Sequence, residues 1–232
     1  MKPLFFLFIF FGLTIFSCTD NNNLPSVEKT DVVENRNTAC TPPITAGCWP
    51  TETVTTTTNY QGCDVKVTYK RRFCFGGFEI NADIWDIQVD YTHCPGFNAY
   101  MLQLYFSGQH TALVNTQNDL YAQIVKESEV AAVVFLNNII DVDCDDTNKY
   151  YQVSTFLVHC RNWVRDGNVI REHYCGDSCC KSKTRYCVNE EGQVVAGPTE
   201  VNLVTDCIIN PNPFGTPLTP CISPCELLDF SR

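Results

Sequence analysis

The sequence predicts an α+β fold in which antiparallel β-hairpins predominate, with one or two helices in the middle and multiple disulfides stapling the whole. Three observations predict it. Apolar residues alternate with period two in segments of the first and last parts of the chain, helical spacing is confined to a central stretch, and 15 of the 232 residues are cysteine. A composition of 44% hydrophobic and 18% charged residues is that of a folded chain with a core to bury, not of a disordered one. The 26 acidic side chains against 16 basic ones, a net charge of −10, exclude a nucleic-acid surface, which needs a basic footprint.

The elements follow in chain order. Met1, Lys2 and Pro3 precede an apolar run from Leu4 to Phe16 whose polar member is Thr14. One positive charge, about 13 apolar residues and a small residue at the end make a secretory signal. The run is shorter than the roughly 20 residues a membrane span needs. Ile15-Phe16-Ser17-Cys18 resembles the lipobox of bacterial lipoproteins, with Ile15 and Ser17 fitting the pattern. The resemblance implies cleavage before Cys18, diacylation of Cys18 and attachment to a membrane through that lipid. Thr19, where an aspartate would mark inner-membrane retention, implies by the same resemblance an outer-membrane location, on the periplasmic or the cell-surface face. The competing reading is an ordinary secreted protein with one spare thiol. The domain plan is then a signal peptide over 1–17, the lipidated cysteine and a flexible tether over 18–39, a disulfide-rich domain over 40–204 that could divide near 145, and a Pro/Cys-rich tail over 205–232. The tether reading rests on three consecutive asparagines, Pro25 and scattered charges without apolar periodicity.

The other fourteen cysteines are Cys40, Cys48, Cys63, Cys74, Cys94, Cys144, Cys160, Cys175, Cys179, Cys180, Cys187, Cys207, Cys221 and Cys225, an even number once Cys18 is set aside. In an exported protein such a density means disulfides. A zinc site from His173, Cys175, Cys179, Cys180 and Cys187 is the sharper alternative, but its spacing lacks two clean C-x2-C knuckles. Adjacent Cys179 and Cys180 cannot easily bond each other, so each is expected to staple a different neighbour.

Residues 51–59 hold six threonines, a strand composition. From Cys63 to Cys74, Val65, Val67, Tyr69, Arg71 and Phe73 share one face. Gly76-Gly77 marks a hairpin whose closing pair, 75 with 78, sets Phe73 opposite Ile80 and Lys70 opposite Asp83. Beyond Ile84 the alternation changes phase to Trp85, Ile87 and Val89, which predicts a bulge or bend. Ala99–Phe106 fits a short helix or a buried strand. Thr116-x-x-Asp119 has capping-box form and, with Leu120, Ile124, Ala131 and Phe135 behind it, predicts a helix over 118–136. Tyr150–Val164 leads into Asp166-Gly167 and on to Asn168–Cys175, a second hairpin with 165 and 168 closing it and Arg161 facing Glu172. The same register makes a Cys160–Cys175 bond difficult, so different partners are expected for both. A third hairpin turns across residues 189–192. Five prolines and three cysteines from Cys207 onward predict an irregular tail pinned across the surface.

The chemistry-bearing motifs are few. G-x-S-x-G, H-E-x-x-H, a phosphate loop and a dinucleotide fingerprint are all missing, so no catalytic residue and no cofactor is expected. His93, His159 and His173 lie within two residues of a cysteine and read as packed structural histidines. Asp141, Asp143 and Asp145 alternate as calcium ligands can, but the twelve-residue calcium loop wants glycine and glutamate where Asp146 and Gln152 stand. Lys70-Arg71-Arg72 reads as pairing with Asp83 and neighbouring acids. Trp49, Trp85 and Trp163 could form a sugar-stacking platform or simply a β core. Three classes survive: an accessory or scaffold subunit of an outer-membrane protein assembly, a surface binding module for a glycan or host protein, and a disulfide-rich inhibitor.

Overall fold

Period-two patterning builds the strands of this chain, and the computed structural model shows where it leads. It describes residues 40–42, 46–76, 79–146, 148–209 and 216–227. The expected signal peptide, Cys18 and the expected tether lie outside the described residues. The strands are β1 (Glu52–Tyr60), β2 (Cys63–Gly76), β3 (Glu79–Asp90), β4 (Tyr151–Asp166), β5 (Val169–Val188), β6 (Val194–Ile209) and β7 (Thr216–Pro217). The helices are α1 (Pro95–Phe106), α2 (His110–Asn137) and the short α3 (Pro224–Leu227). The α+β class holds, with the sheet dominant.

The sheet runs β1-β2-β3-β4-β5-β6 in chain order, with β7 added on β4. Every neighbouring pair is antiparallel but one. β3 and β4 pair in parallel, because the 180° turns of hairpins are replaced there by the crossover through α1 and α2. The sheet therefore continues past residue 145 without a break. α2 lays a stripe of Leu113, Leu120, Ile124, Val125, Ala132, Val133 and Leu136 into the core, residues that share one helical face through steps of three, four and seven. Opposite it stand the buried Val65, Val67, Tyr69 and Phe73 of β2 and Val153 and Leu157 of β4.

Three sequence expectations need correction, and one that left helix or strand open is decided for the helix. Both hairpin registers slip by one residue on each strand. Gly76 pairs with Glu79 and Phe73 with Ala82, while Asp166 pairs with Val169 and Arg161 with Tyr174. In the second hairpin the reason is visible: Gly167, at φ 62°, takes the first loop position, so Asp166 joins the strand. α2 starts at His110, eight residues before the expected helix. Thr116 lies inside it, and its hydroxyl donates 2.8 Å back to the Ala112 carbonyl instead of capping. Ala99–Phe106 belongs to a helix that opens on Pro95, where a missing N–H costs nothing. The C-terminal segment is not draped over the surface. Leu218, Ile222 and Leu227 are buried in the core, and Thr216, Pro217 and Ile222 bridge to the edge of β4.

All fourteen cysteines among the described residues pair: Cys40–Cys179, Cys48–Cys74, Cys63–Cys94, Cys144–Cys187, Cys160–Cys207, Cys175–Cys221 and Cys180–Cys225. Cys179 and Cys180 do staple different segments. Neighbouring residues of a strand point to opposite faces, so one reaches the N-terminal segment and the other α3.

Candidate functional site

The parallel pair is short. β3 and β4 match from Ile80/Tyr151 to Ile84/Thr155, and no pairing between them is recorded further on among the described residues. From there β3 stays with β2, whereas the edge of β4 is taken by the C-terminal segment. An open seam results. It is bordered by two non-glycine residues in the left-handed region, Asp86 at φ 55° in β3 and His159 at φ 72° in β4. Each sits at a register shift, the first being the bulge that the phase change after Ile84 predicts. Left-handed backbone costs such residues of order 1–3 kcal/mol and collects where a fold serves a ligand or a switch.

Arg161 spans the seam from β4. Its Nη2 donates to the Ile87 carbonyl at 3.0 Å, and Nη1 meets Glu172 Oε2 at 2.9 Å and the Tyr121 hydroxyl. Tyr121 in turn donates to Glu172 Oε1. Burial, the largest single influence, works to discharge the guanidinium, but Glu172, Tyr121 and Tyr174 together outweigh it and keep it charged. Burial pushes the hydroxyls of Tyr91 and Tyr121 well above the ordinary tyrosine range, so both stay protonated. Two polar groups here lack a hydrogen-bond partner among the described residues, Arg161 Nε and the Tyr91 hydroxyl.

Two cavities open along the seam. One, of about 370 Å³, is lined from Gln88 to Thr92 and by Ile170, Arg171, Glu172 and Tyr174. The other, of about 260 Å³, lies among Lys70, Trp85, Asp86, His159, Arg161 and Tyr174. Gln88 and Tyr174 belong to both. The His159 ring stacks on Tyr174 at 4.9 Å and 28°, and its Nδ1 lies 3.0 Å from Asp177.

A second buried polar group sits under the middle of the sheet. Glu129 of α2 is 1% exposed and accepts hydrogen bonds of 2.6 Å from Thr155 and from Tyr186. Burial pushes its carboxyl pKa up, against the pull of those bonds.

At the end of the molecule where α2 stops, the surface turns apolar. Trp49 is 42% exposed and packs against Phe75 at 5.2 Å and Phe135 at 6.4 Å. Val134, Ile139 and Ile140 stand exposed on the last turn of α2 and the loop behind it. Gly47, at φ 87°, holds the Trp49 segment against β2, since a Cβ there would meet the Phe75 carbonyl at 2.6 Å.

The residues singled out in the sequence do not converge. Trp163 is fully buried against Tyr91 and Phe97, and Trp85 is buried under the Arg72 guanidinium, so the three tryptophans form no platform. Asp141, Asp143 and Asp145 form no metal cluster, and no such cluster occurs among the described residues. Asp143 Oδ1 instead accepts the Asp145 N–H at 3.0 Å, and Cys144 between them is tied to Cys187. His93 is exposed rather than packed. The basic cluster pairs with acids as expected, Lys70 with Asp86, Arg71 with Glu52 and Arg72 with Asp83. Sequence reasoning set Arg161 beside Glu172 but missed the seam, Tyr91, Tyr121 and Tyr174; the available signal was an arginine between Cys160 and Trp163, two residue types that are usually buried. Comparison with known proteins finds no family model, no curated protein and no solved structure that matches this chain.

Proposed function

We propose that the chain is an exported, non-catalytic lipoprotein that serves as an accessory subunit of an outer-membrane protein assembly, docking through the apolar end of α2. The supporting observation is the grouping of Trp49, Val134, Ile139 and Ile140 at one end of a body cross-linked by seven disulfides. Exposed apolar residues scattered singly need no explanation, whereas a group marks an interface, and tryptophan is favoured at its energetic centre. A rigid body also loses little conformational freedom on binding. A lipid on Cys18 and a tether over 19–39 would hold that end within reach of a membrane partner.

The test is recovery of the tagged full-length protein from mildly solubilised native membranes, followed by mass spectrometry. A stoichiometric outer-membrane partner that is lost with Trp49→Asp and Ile139→Asp is expected. Recovery of the chain alone, or capture indifferent to both substitutions, overturns the reading. A second reading, a binding module for a glycan or host protein, is favoured by the polar seam.

A further inference from the structure

We propose that β1 is a pairing edge for a second copy of this chain, joining two sheets in antiparallel register about Thr55. The inference goes beyond the docking reading and shares no residue with the apolar end, so either can fail alone.

The sheet ends on β1 at one side and on β6 at the other. Free edges invite pairing with other chains, and folds guard them with proline, charge or bulges. β6 is guarded: it carries Pro198 and Glu200, and its register against β5 shifts repeatedly. β1 is not. Its nine residues hold no proline, lysine or arginine, and their register against β2 runs unbroken. Glu52, its one charge, lies at the end of the strand and is paired with Arg71.

Turn geometry shows which backbone groups are free. Gln61 and Gly62, at φ 51° and 77°, make a two-residue loop, so the closing pair Tyr60 and Cys63 is hydrogen-bonded. The alternation then turns the even-numbered residues of β1 to β2 and aims the N–H and C=O of Thr53, Thr55, Thr57 and Asn59 outward. The Asn59 carbonyl fits this phase, accepting a 3.0 Å bond from Gln123 of α2. Thr53, Thr55 and Thr57 have no backbone partner across this edge among the described residues, and all three are exposed.

A second copy fits this edge. Centred on Thr55, antiparallel pairing sets Thr53 opposite Thr57 of the second copy and uses every free N–H and C=O of the three threonines in both chains. Val54 meets Thr56 and Glu52 meets Thr58, so core-side residues stay on the core side and no like charges face each other. The two-fold axis is then normal to the sheet. Cys40–Cys179 holds the N-terminal segment on the face opposite the one from which Cys180 reaches α3, and the axis carries both N-terminal segments to that same side. Two chains anchored through the lipid proposed on Cys18 can therefore pair on one membrane. So short an edge makes a small, reversible contact, and attachment to a shared surface supplies the effective concentration it needs.

The experiment uses two differently tagged copies of the full chain, co-expressed and oxidised in native membranes with copper–phenanthroline. Residues opposite each other in a hydrogen-bonded pair have Cα atoms about 5.5 Å apart, within disulfide reach. Thr55→Cys should therefore give a disulfide dimer carrying both tags. Thr53→Cys alone and Thr57→Cys alone should not, because each lies roughly 13 Å along the strand from its own counterpart. One copy with Thr53→Cys and the other with Thr57→Cys should cross-link. Adding Thr55→Pro to both members of that mixed pair should abolish the dimer, since it removes an N–H that faces solvent in the monomer and leaves the β2 ladder whole. Thr55→Val, which keeps the backbone donor, should leave the dimer intact. Unchanged circular dichroism and native disulfides separate lost pairing from lost fold. No two-tag dimer, equal cross-linking by the three single cysteines, a Thr55→Cys adduct to a different protein, or a dimer that survives Thr55→Pro overturns the proposal.

Discussion

Replacing Arg161 by methionine probes the seam where it is most constrained. The substitution keeps a long side chain but removes the donors to Glu172, to the Tyr121 hydroxyl and to the Ile87 carbonyl. Both charged side chains are largely buried, 3% and 9% exposed. Removing one partner of such a pair leaves the other charge uncompensated and costs about 3–5 kcal/mol. Glu172 borders a cavity and can take up water, which places the expectation at the lower end, about 3 kcal/mol. In a chain of this length that lowers Tm by roughly 6–12 °C. The double variant Arg161→Met/Glu172→Met removes both charges, and exchanging a buried pair for apolar groups is close to neutral. It should therefore be more stable than Arg161→Met alone, short of wild type by about 1–3 kcal/mol for the Tyr121 hydroxyl and Ile87 carbonyl left behind. Urea titration followed by circular dichroism, with disulfides intact, measures both. A cost for Arg161→Met below about 1 kcal/mol, the level of an exposed pair, would refute the reasoning. So would a double variant that loses the sum of the two single costs.

Four other outcomes are expected. The Glu129 carboxyl is held above its unfolded pKa, so its contribution is fully present below the unfolded value and is lost as pH rises through the folded one. Glu129→Gln should thus gain stability relative to wild type on going from pH 4 to pH 7, as read from paired denaturation curves. Trp163→Ala should cost about 3–5 kcal/mol and Trp49→Ala less than about 1, because the first opens a core cavity and the second trims a surface; equal costs would contradict the burial of Trp163. Removing Cys40–Cys179, which closes 139 residues, should cost about 5 kcal/mol, and removing Cys48–Cys74, which closes 26, about 3.5 kcal/mol, by loop-closure entropy; the order of the two midpoints checks this. Cys18→Ala should move the protein from the membrane to the soluble fraction and abolish palmitate labelling, and persistent membrane association would sink the lipid-anchor proposal.

Local patterns were legible where local forces decide. Val65, Val67, Tyr69 and Phe73 declared a strand and its buried face, and the phase change after Ile84 declared the bulge that Asp86 makes. Turn chemistry located the hairpins but missed their register, because a glycine can serve at more than one loop position and a slip by one on each strand leaves the same residues inward. Thr116 misled for a related reason: its hydroxyl finds a carbonyl inside the helix as readily as an N–H at its start.

The seam left almost no trace. Its defining event is a parallel pairing between residues about 70 apart in the chain, followed by the loss of that pairing where the C-terminal segment claims the edge of β4. The identity of Trp163 did not reveal whether it would cover a ligand or fill the core; burial against Tyr91 and Phe97 decided it. By itself the sequence determined strand and helix character and a cysteine count that demands disulfides, because period, propensity and number are local or countable properties. Only the tertiary structure decided which cysteine meets which, where the sheet opens and which polar groups gather there, because those outcomes depend on contacts between distant residues that no local pattern encodes.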